Sequence, residues 1–144
     1  MNVLAPISTI MTTELITLSP KDSLLDVKQI FEDNNIHHIP IVRYKKIVGM
    51  ISKTDFLTFS HITEKDSMLE EFEKERLKNY TLEDIMSTGL AKLSSDEKIN
   101  VAIEVFNRNM FHAIPIVDND ELVGLLTTYD IIRSIGLAAQ ASAQ

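Results

Sequence analysis

Displaced by 75 positions, the sequence falls on itself without a gap. His37-His38-Ile39-Pro40-Ile41-Val42 meets His112-Ala113-Ile114-Pro115-Ile116-Val117, and Ile47-Val48-Gly49-Met50-Ile51-Ser52 meets Leu122-Val123-Gly124-Leu125-Leu126-Thr127. Asp55 meets Asp130, Phe31 meets Phe106, and Ile10-Met11 meets Ile85-Met86. Over residues 10–57 against 85–132, sixteen of 48 pairs are identical, and ten of the others exchange one apolar residue for another. A chain duplicated in this way has to build one supersecondary unit twice.

Each copy reads alike. A short strand is expected over residues 15–18 and 90–93. A helix follows, with Leu24, Val27, Ile30 and Phe31 in the first copy and Ile99, Ala102, Ile103 and Phe106 in the second, the spacing of one buried face. Ser23 is placed to cap the first of these helices. Two apolar runs come next, residues 39–42 and 47–51, joined by a polar turn of Arg43-Tyr44-Lys45-Lys46. Asp118-Asn119-Asp120-Glu121 is the counterpart, so each copy carries a hairpin. Second helices start near Thr54 and Tyr129. The fold class is α/β (α+β), two βαββα units with a helical connector. Residues 1–62 make the first repeat, 63–80 the connector, 81–137 the second repeat, and 138–144 a tail expected to fray. Residues 64–78 hold ten charges in fifteen positions, with Met68, Leu69, Phe72 and Leu77 as an apolar stripe and Glu70–Lys74 as an i,i+4 pair. A solvated spacer and a partner-docking helix both fit that pattern.

Composition excludes more than it assigns. A net charge of −7 disfavours nucleic acid, which needs a surplus of Lys and Arg. The absence of cysteine removes disulfides and thiolate chemistry. No run of residues is long and apolar enough to span a membrane, and residues 1–6 lack the pattern of a signal peptide, so a cytoplasmic location is expected. An enzyme is not expected. No nucleophile–base arrangement, phosphate loop or zinc helix is present, and the four glycines are scattered. His37, His38, His61 and His112 lack metal-ligand spacing, and His61 reads as a surface residue.

The candidate site follows from hairpin counting. If Val42 pairs near Ile47, His37 lies close to Ser52, and His112 close to Thr127. A helix starts just there, with backbone N–H groups and a positive dipole end. Each copy thus brings a hydroxyl, a carboxylate and an imidazole to one end of its hairpin: Ser52, Asp55 and His37, then Thr127, Asp130 and His112. A carboxylate can accept two ribose hydroxyls, and a hydroxyl with helix amides can hold phosphate. Gly49 and Gly124 allow close backbone approach. Ser or Thr followed three residues later by Asp is also a helix capping box, a spacing found again at Ser19, Ser23 and Thr81.

The doubled pattern of apolar-Pro-apolar-Val, a polar turn, then apolar-Val-Gly-apolar-apolar-Ser/Thr-x-x-Asp, over residues 39–56 and 114–131, resembles the CBS domain, named after cystathionine beta-synthase. The resemblance implies two CBS repeats packed as a pseudo-twofold pair, with clefts between them that take AMP, ADP, ATP or S-adenosylmethionine as a regulatory ligand and need no cofactor. By motif position, Asp55 and Asp130 would hold ribose, and Ser52 and Thr127 ribose or phosphate, with Thr54 and Tyr129 beside them. Backbone and side chains around Ile39 and Ile114 would frame the base, and His37, His38, His112 and Lys53 would face phosphate. The copies diverge at those positions, with His38 opposite Ala113 and Lys53 opposite Thr128. The resemblance also implies a homodimer, and regulation of an enzyme or transporter in trans. Its rival is a ligand-free dimerisation or docking module.

Overall fold

The structure, a computed structural model, describes residues 1–60 and 67–143, and of residues 67–70 the backbone. His61 and the beginning of the connector, with Thr63, lie outside the described residues, and so does the Glu70 side chain of the expected Glu70–Lys74 pair.

The first copy contributes α1 (Leu24–Asp33), a hairpin of β1 (His38–Arg43) and β2 (Lys46–Ser52), and α2 (Lys53–Ser60). After the connector helix α3 (Ser67–Lys78), the second copy contributes α4 (Ile99–Arg108), β3 (Ala113–Asp118), β4 (Glu121–Thr127) and α5 (Thr128–Ser142). The expected opening strand of each copy narrows to one parallel bridge, Leu18 to Ile41 and Leu93 to Ile116. Two backbone hydrogen bonds hold each bridge, for example Leu18 N to Pro40 O at 3.1 Å and Val42 N to Leu18 O at 2.7 Å. The result is the βαββα-like unit, twice.

The hairpin turns are tighter than expected. Arg43 pairs with Lys46 and Asp118 with Glu121, which leaves Tyr44-Lys45 and Asn119-Asp120 as two-residue loops. All four loop residues have φ between 50° and 65°, the pattern of a type I′ turn that matches strand twist. Both hairpins also contain a bulge. Ile41 pairs with Gly49 while Val42 pairs with Ile47, which leaves Val48 unpaired, and Val123 is skipped in the same way.

The chain divides into two compact units whose boundaries cut across the repeats: Ile16–Gly89 is one, and Met1–Leu15 with Leu90–Gln144 is the other. The opening segment of each copy therefore packs in the unit built on the other copy. In the first, Leu82 is fully buried beside Leu24, Val27, Ile39, Ile41, Ile51 and Phe56. In the second, Ile7 is fully buried beside Ile99, Ala102, Ile114, Ile116 and Leu126. The glycines receive these segments. A Cβ on Gly49 would collide with the Met86 sulfur, and one on Gly124 would lie 2.7 Å from the Met11 sulfur. A β-carbon at either position would have to displace a methionine side chain, so glycine fits these contacts best.

Ser23 caps α1 as expected, in a reciprocal box with Asp26. Its counterpart before α4 is Lys98, which has no acceptor to offer. The carbonyls of Ala5 and Val3 take its place, accepting from Ile99 N at 3.0 Å and Asn100 N at 2.8 Å.

Two expectations need correction. The connector is not a simple spacer: Leu77 of α3 is fully buried in the first-copy core, and Arg76 lies 5.0 Å over the Phe59 ring, which also meets Tyr80 edge-on. Its apolar stripe divides, since Phe72 remains 78% exposed. The tail does not end its helix at residue 137, because α5 continues through Ser142. Ala138, Ala139 and Ala141 have the highest helix propensity and favour the extra turns.

Candidate functional site

The bulge shifts the pairing at the open end of each hairpin by one residue from the simple count. His38, not His37, is the strand partner of Ser52, and Ala113, not His112, that of Thr127. His37 and His112 lie one step further out, both exposed. Their carbonyls accept from the first amides of the following helices, Lys53 N at 2.8 Å and Thr128 N at 3.0 Å. The hydroxyls occupy a second amide of each helix, Ser52 Oγ accepting from Asp55 N at 3.0 Å and Thr127 Oγ1 from Asp130 N at 3.1 Å. These helix starts thus offer fewer open amides than a bare N-terminus would.

The two carboxylates then part company. Asp130 completes the capping box, its Oδ2 accepting from Thr127 N at 2.9 Å. Its Oδ1 accepts from Thr12 Oγ1 at 3.1 Å, and the residue is only 8% exposed. Asp55 is exposed, and among the described residues its carboxylate accepts no hydrogen bond. The capping explanation is therefore complete at Thr127–Asp130 and half complete at Ser52–Asp55.

Around these groups, Thr54 and Tyr129 are exposed, while Ser52, Lys53, Thr127 and His38 are half-buried. Ile39 and Ile114 have no exposed surface; their side chains belong to the two cores, so contact with a ligand there would fall to the backbone. A recess of about 310 Å³ in the first-copy unit is lined by Lys28, Phe31, Glu32, Lys53, Phe56 and Leu57. It lies between α1 and α2 and takes in Lys53 but neither Ser52 nor Asp55. Among the described residues no group of three or more His, Asp or Glu side chains is placed to hold a metal ion. No helix among them is long and apolar enough to cross a membrane. The contact of Thr12 with Asp130 is the site feature that sequence reading missed. Its one signal was the opening Ile10-Met11-Thr12, repeated as Ile85-Met86-Ser87.

Comparison with known proteins bears on this arrangement. The CBS domain model matches residues 7–62 and 82–137. An inosine-5'-monophosphate dehydrogenase from Thermoplasma acidophilum is 29% identical over 125 residues, covering 86% of this chain and 22% of that enzyme. The chain spans 22% to 44% of the length of the first curated relatives it matches. Among solved structures, the CBS domain pair of protein MJ0100, in complex with 5'-methylthioadenosine and S-adenosyl-L-methionine, superposes with a TM-score of 0.71 at 24% identity over 92% of this chain and 97% of that one. CBSX2 in complex with AMP, a CBS-pair protein of Arabidopsis thaliana, superposes with a TM-score of 0.76 at 20% identity over 94% and 98%. At these identities the likeness establishes the fold. CBS domain pairs are a non-catalytic regulatory fold. With both copies matched and the βαββα-like unit present twice, the chain belongs to the CBS domain family as a tandem pair.

Proposed function

We propose that this chain is a regulatory module that binds an adenosine-containing ligand, of the AMP, ADP, ATP or S-adenosylmethionine type, at its hydroxyl-x-x-Asp junctions. The observation that carries this reading is the exposed carboxylate of Asp55, unpaired among the described residues, beside Ser52 at a helix start. Two acceptor oxygens suit the paired hydroxyls of a ribose. Asp55 and Asp130 hold ribose, with Ser52, Thr54, Thr127 and Tyr129 flanking it. Lys53, His37, His38 and His112 supply the cationic or hydrogen-bonding side toward phosphate, and the backbone at Ile39 and Ile114 borders the base. The adenosine-containing molecules bound to MJ0100 and CBSX2 support the ligand class. A thermal-shift screen tests the reading, because a ligand at a hundredfold its Kd adds about 2.7 kcal/mol to stability. At least one of AMP, ADP, ATP and S-adenosylmethionine raises the melting temperature. If none does at millimolar concentration, a ligand-free docking module replaces this reading.

The module also acts as a homodimer in this reading. Ile132, Ile135 and Leu137 on α5 are 67%, 50% and 56% exposed, an apolar surface that a second copy would cover. Sedimentation at tens of micromolar gives the dimer mass, and a monomer alone contradicts it.

A further inference from the structure

The second-copy carboxylate is already engaged by a residue from the opening segment of the chain. Thr12 and its counterpart Ser87 hold the same backbone position: Thr12 exchanges two backbone hydrogen bonds with Leu125, both 2.9 Å, and Ser87 two with Met50, at 3.0 and 2.9 Å. Their hydroxyls differ. Thr12 donates to Asp130 Oδ1, whereas no hydrogen bond links Ser87 to Asp55. The β-branch of threonine restricts its χ1, which helps keep the hydroxyl on the carboxylate. A ribose diol presented to Asp130 meets one oxygen held by Thr12, the other by the Thr127 amide, on a side chain that is 8% exposed. At Asp55 neither oxygen accepts a hydrogen bond among the described residues.

We propose that the Thr12 hydroxyl is a built-in competitor for ligand at Asp130, so that the two junctions are unequal and Asp55 is filled first. This rests on reading both junctions as ribose-binding. Thr12 acts here as a specificity-determining residue of one junction. Removing its hydroxyl while keeping its shape raises affinity at Asp130, because the hydrogen bond to a charged acceptor no longer has to be exchanged.

The test uses the full chain, with AMP and S-adenosylmethionine as probes. Melting of wild type, Thr12→Val, Asp130→Asn and the double variant measures coupling between the two residues without any ligand. The parallel cycle of Ser87→Ala and Asp55→Asn is the control. Calorimetry in an Asp55→Ala background then isolates the second junction. Coupling at Thr12–Asp130 with none at Ser87–Asp55, and affinity about tenfold higher in Thr12→Val, support the proposal. Absent coupling overturns it and leaves the proposed ligand untouched. Intact coupling with unchanged or weaker affinity in Thr12→Val also overturns it, since Thr12 is then a fastener or a ligand contact. Intact coupling with no binding of either probe to any variant overturns the ligand reading and the competitor together, an outcome the melting data distinguish from the first.

Discussion

The two copies share a fold and differ in what secures its ends. The first closes its hairpin with Tyr44-Lys45, caps its first helix with Ser23, recruits the connector through Leu77 and leaves Asp55 open. The second closes with Asn119-Asp120, caps its helix with the carbonyls of residues 3 and 5, and ties Asp130 to Thr12. What stayed alike is the apolar pattern that defines βαββα packing. The polar positions drifted, because a cap, a turn or a tether can be supplied from several places, whereas a core position must be filled where it is.

The largest difference to test is the connector. Leu77→Ala removes a fully buried side chain from the first-copy core and costs about 2–5 kcal/mol in denaturant melts. Phe72→Ala, on the same helix but 78% exposed, stays within about 0.5 kcal/mol. Equal effects would return α3 to the status of a spacer.

The methionine–glycine contacts come next. Gly49→Ala and Gly124→Ala each overpack a filled site, with a cost of about 1–3 kcal/mol. At Gly49 the three nearest atoms all belong to the Met86 side chain, while at Gly124 the Thr12 carbonyl also lies at 3.1 Å. Met86→Ala therefore relieves Gly49→Ala, and Met11→Ala relieves Gly124→Ala only in part. Additive effects in the first pair would contradict the contact.

The turns differ less. Type I′ loops favour Asn and Gly, so Lys45→Gly stabilises by about 0.5–1 kcal/mol and Tyr44→Asn by less. Asn119→Tyr destabilises the second hairpin. Chemical melts read all three, and a loss of stability in Lys45→Gly would exclude the positive-φ turn.

The smallest effect depends on pH. Asp118, at the position Arg43 holds in the first copy, accepts from the Ser95 hydroxyl at 2.5 Å and the Ser95 amide at 2.9 Å. The hydroxyl first, then the amide, lowers its pKa below the usual carboxylate range. A carboxyl with a lower pKa folded than unfolded adds stability that is full above the unfolded value. That stability is lost as pH falls through the folded value, here below about pH 4. Ser95→Ala flattens this acid limb in melts taken from pH 5 to pH 2. An unchanged limb would remove the pair from the account of the second copy.

Much of this was legible from the sequence. The repeat, the amphipathic helices and the hairpins follow from periodicity, and Ser23 was readable as a cap. The bulges were not, because Val48 and Val123 sit in apolar runs without alternation that would fix their face. The exchange of opening segments was hidden by the repeat itself: Ile10-Met11 and Ile85-Met86 are the same residues, so either copy could receive either one. The divergence of Asp55 from Asp130 was hidden as well. Both stand in a hydroxyl-x-x-Asp pattern, and what separates them is a capping bond from the Thr127 amide and a threonine 118 positions away along the chain.

The central claim, that these carboxylates hold an adenosyl ligand and do so unequally, is tested most directly by calorimetry. AMP and S-adenosylmethionine are titrated into wild type, Asp55→Ala and Asp130→Ala. The expected result is a tighter event weakened by about 1.5–3 kcal/mol in Asp55→Ala, and a weaker event that only Asp130→Ala removes. Affinity unchanged in both variants would contradict the claim, leaving Asp130 as a helix cap and Asp55 as an exposed carboxylate without a part in binding.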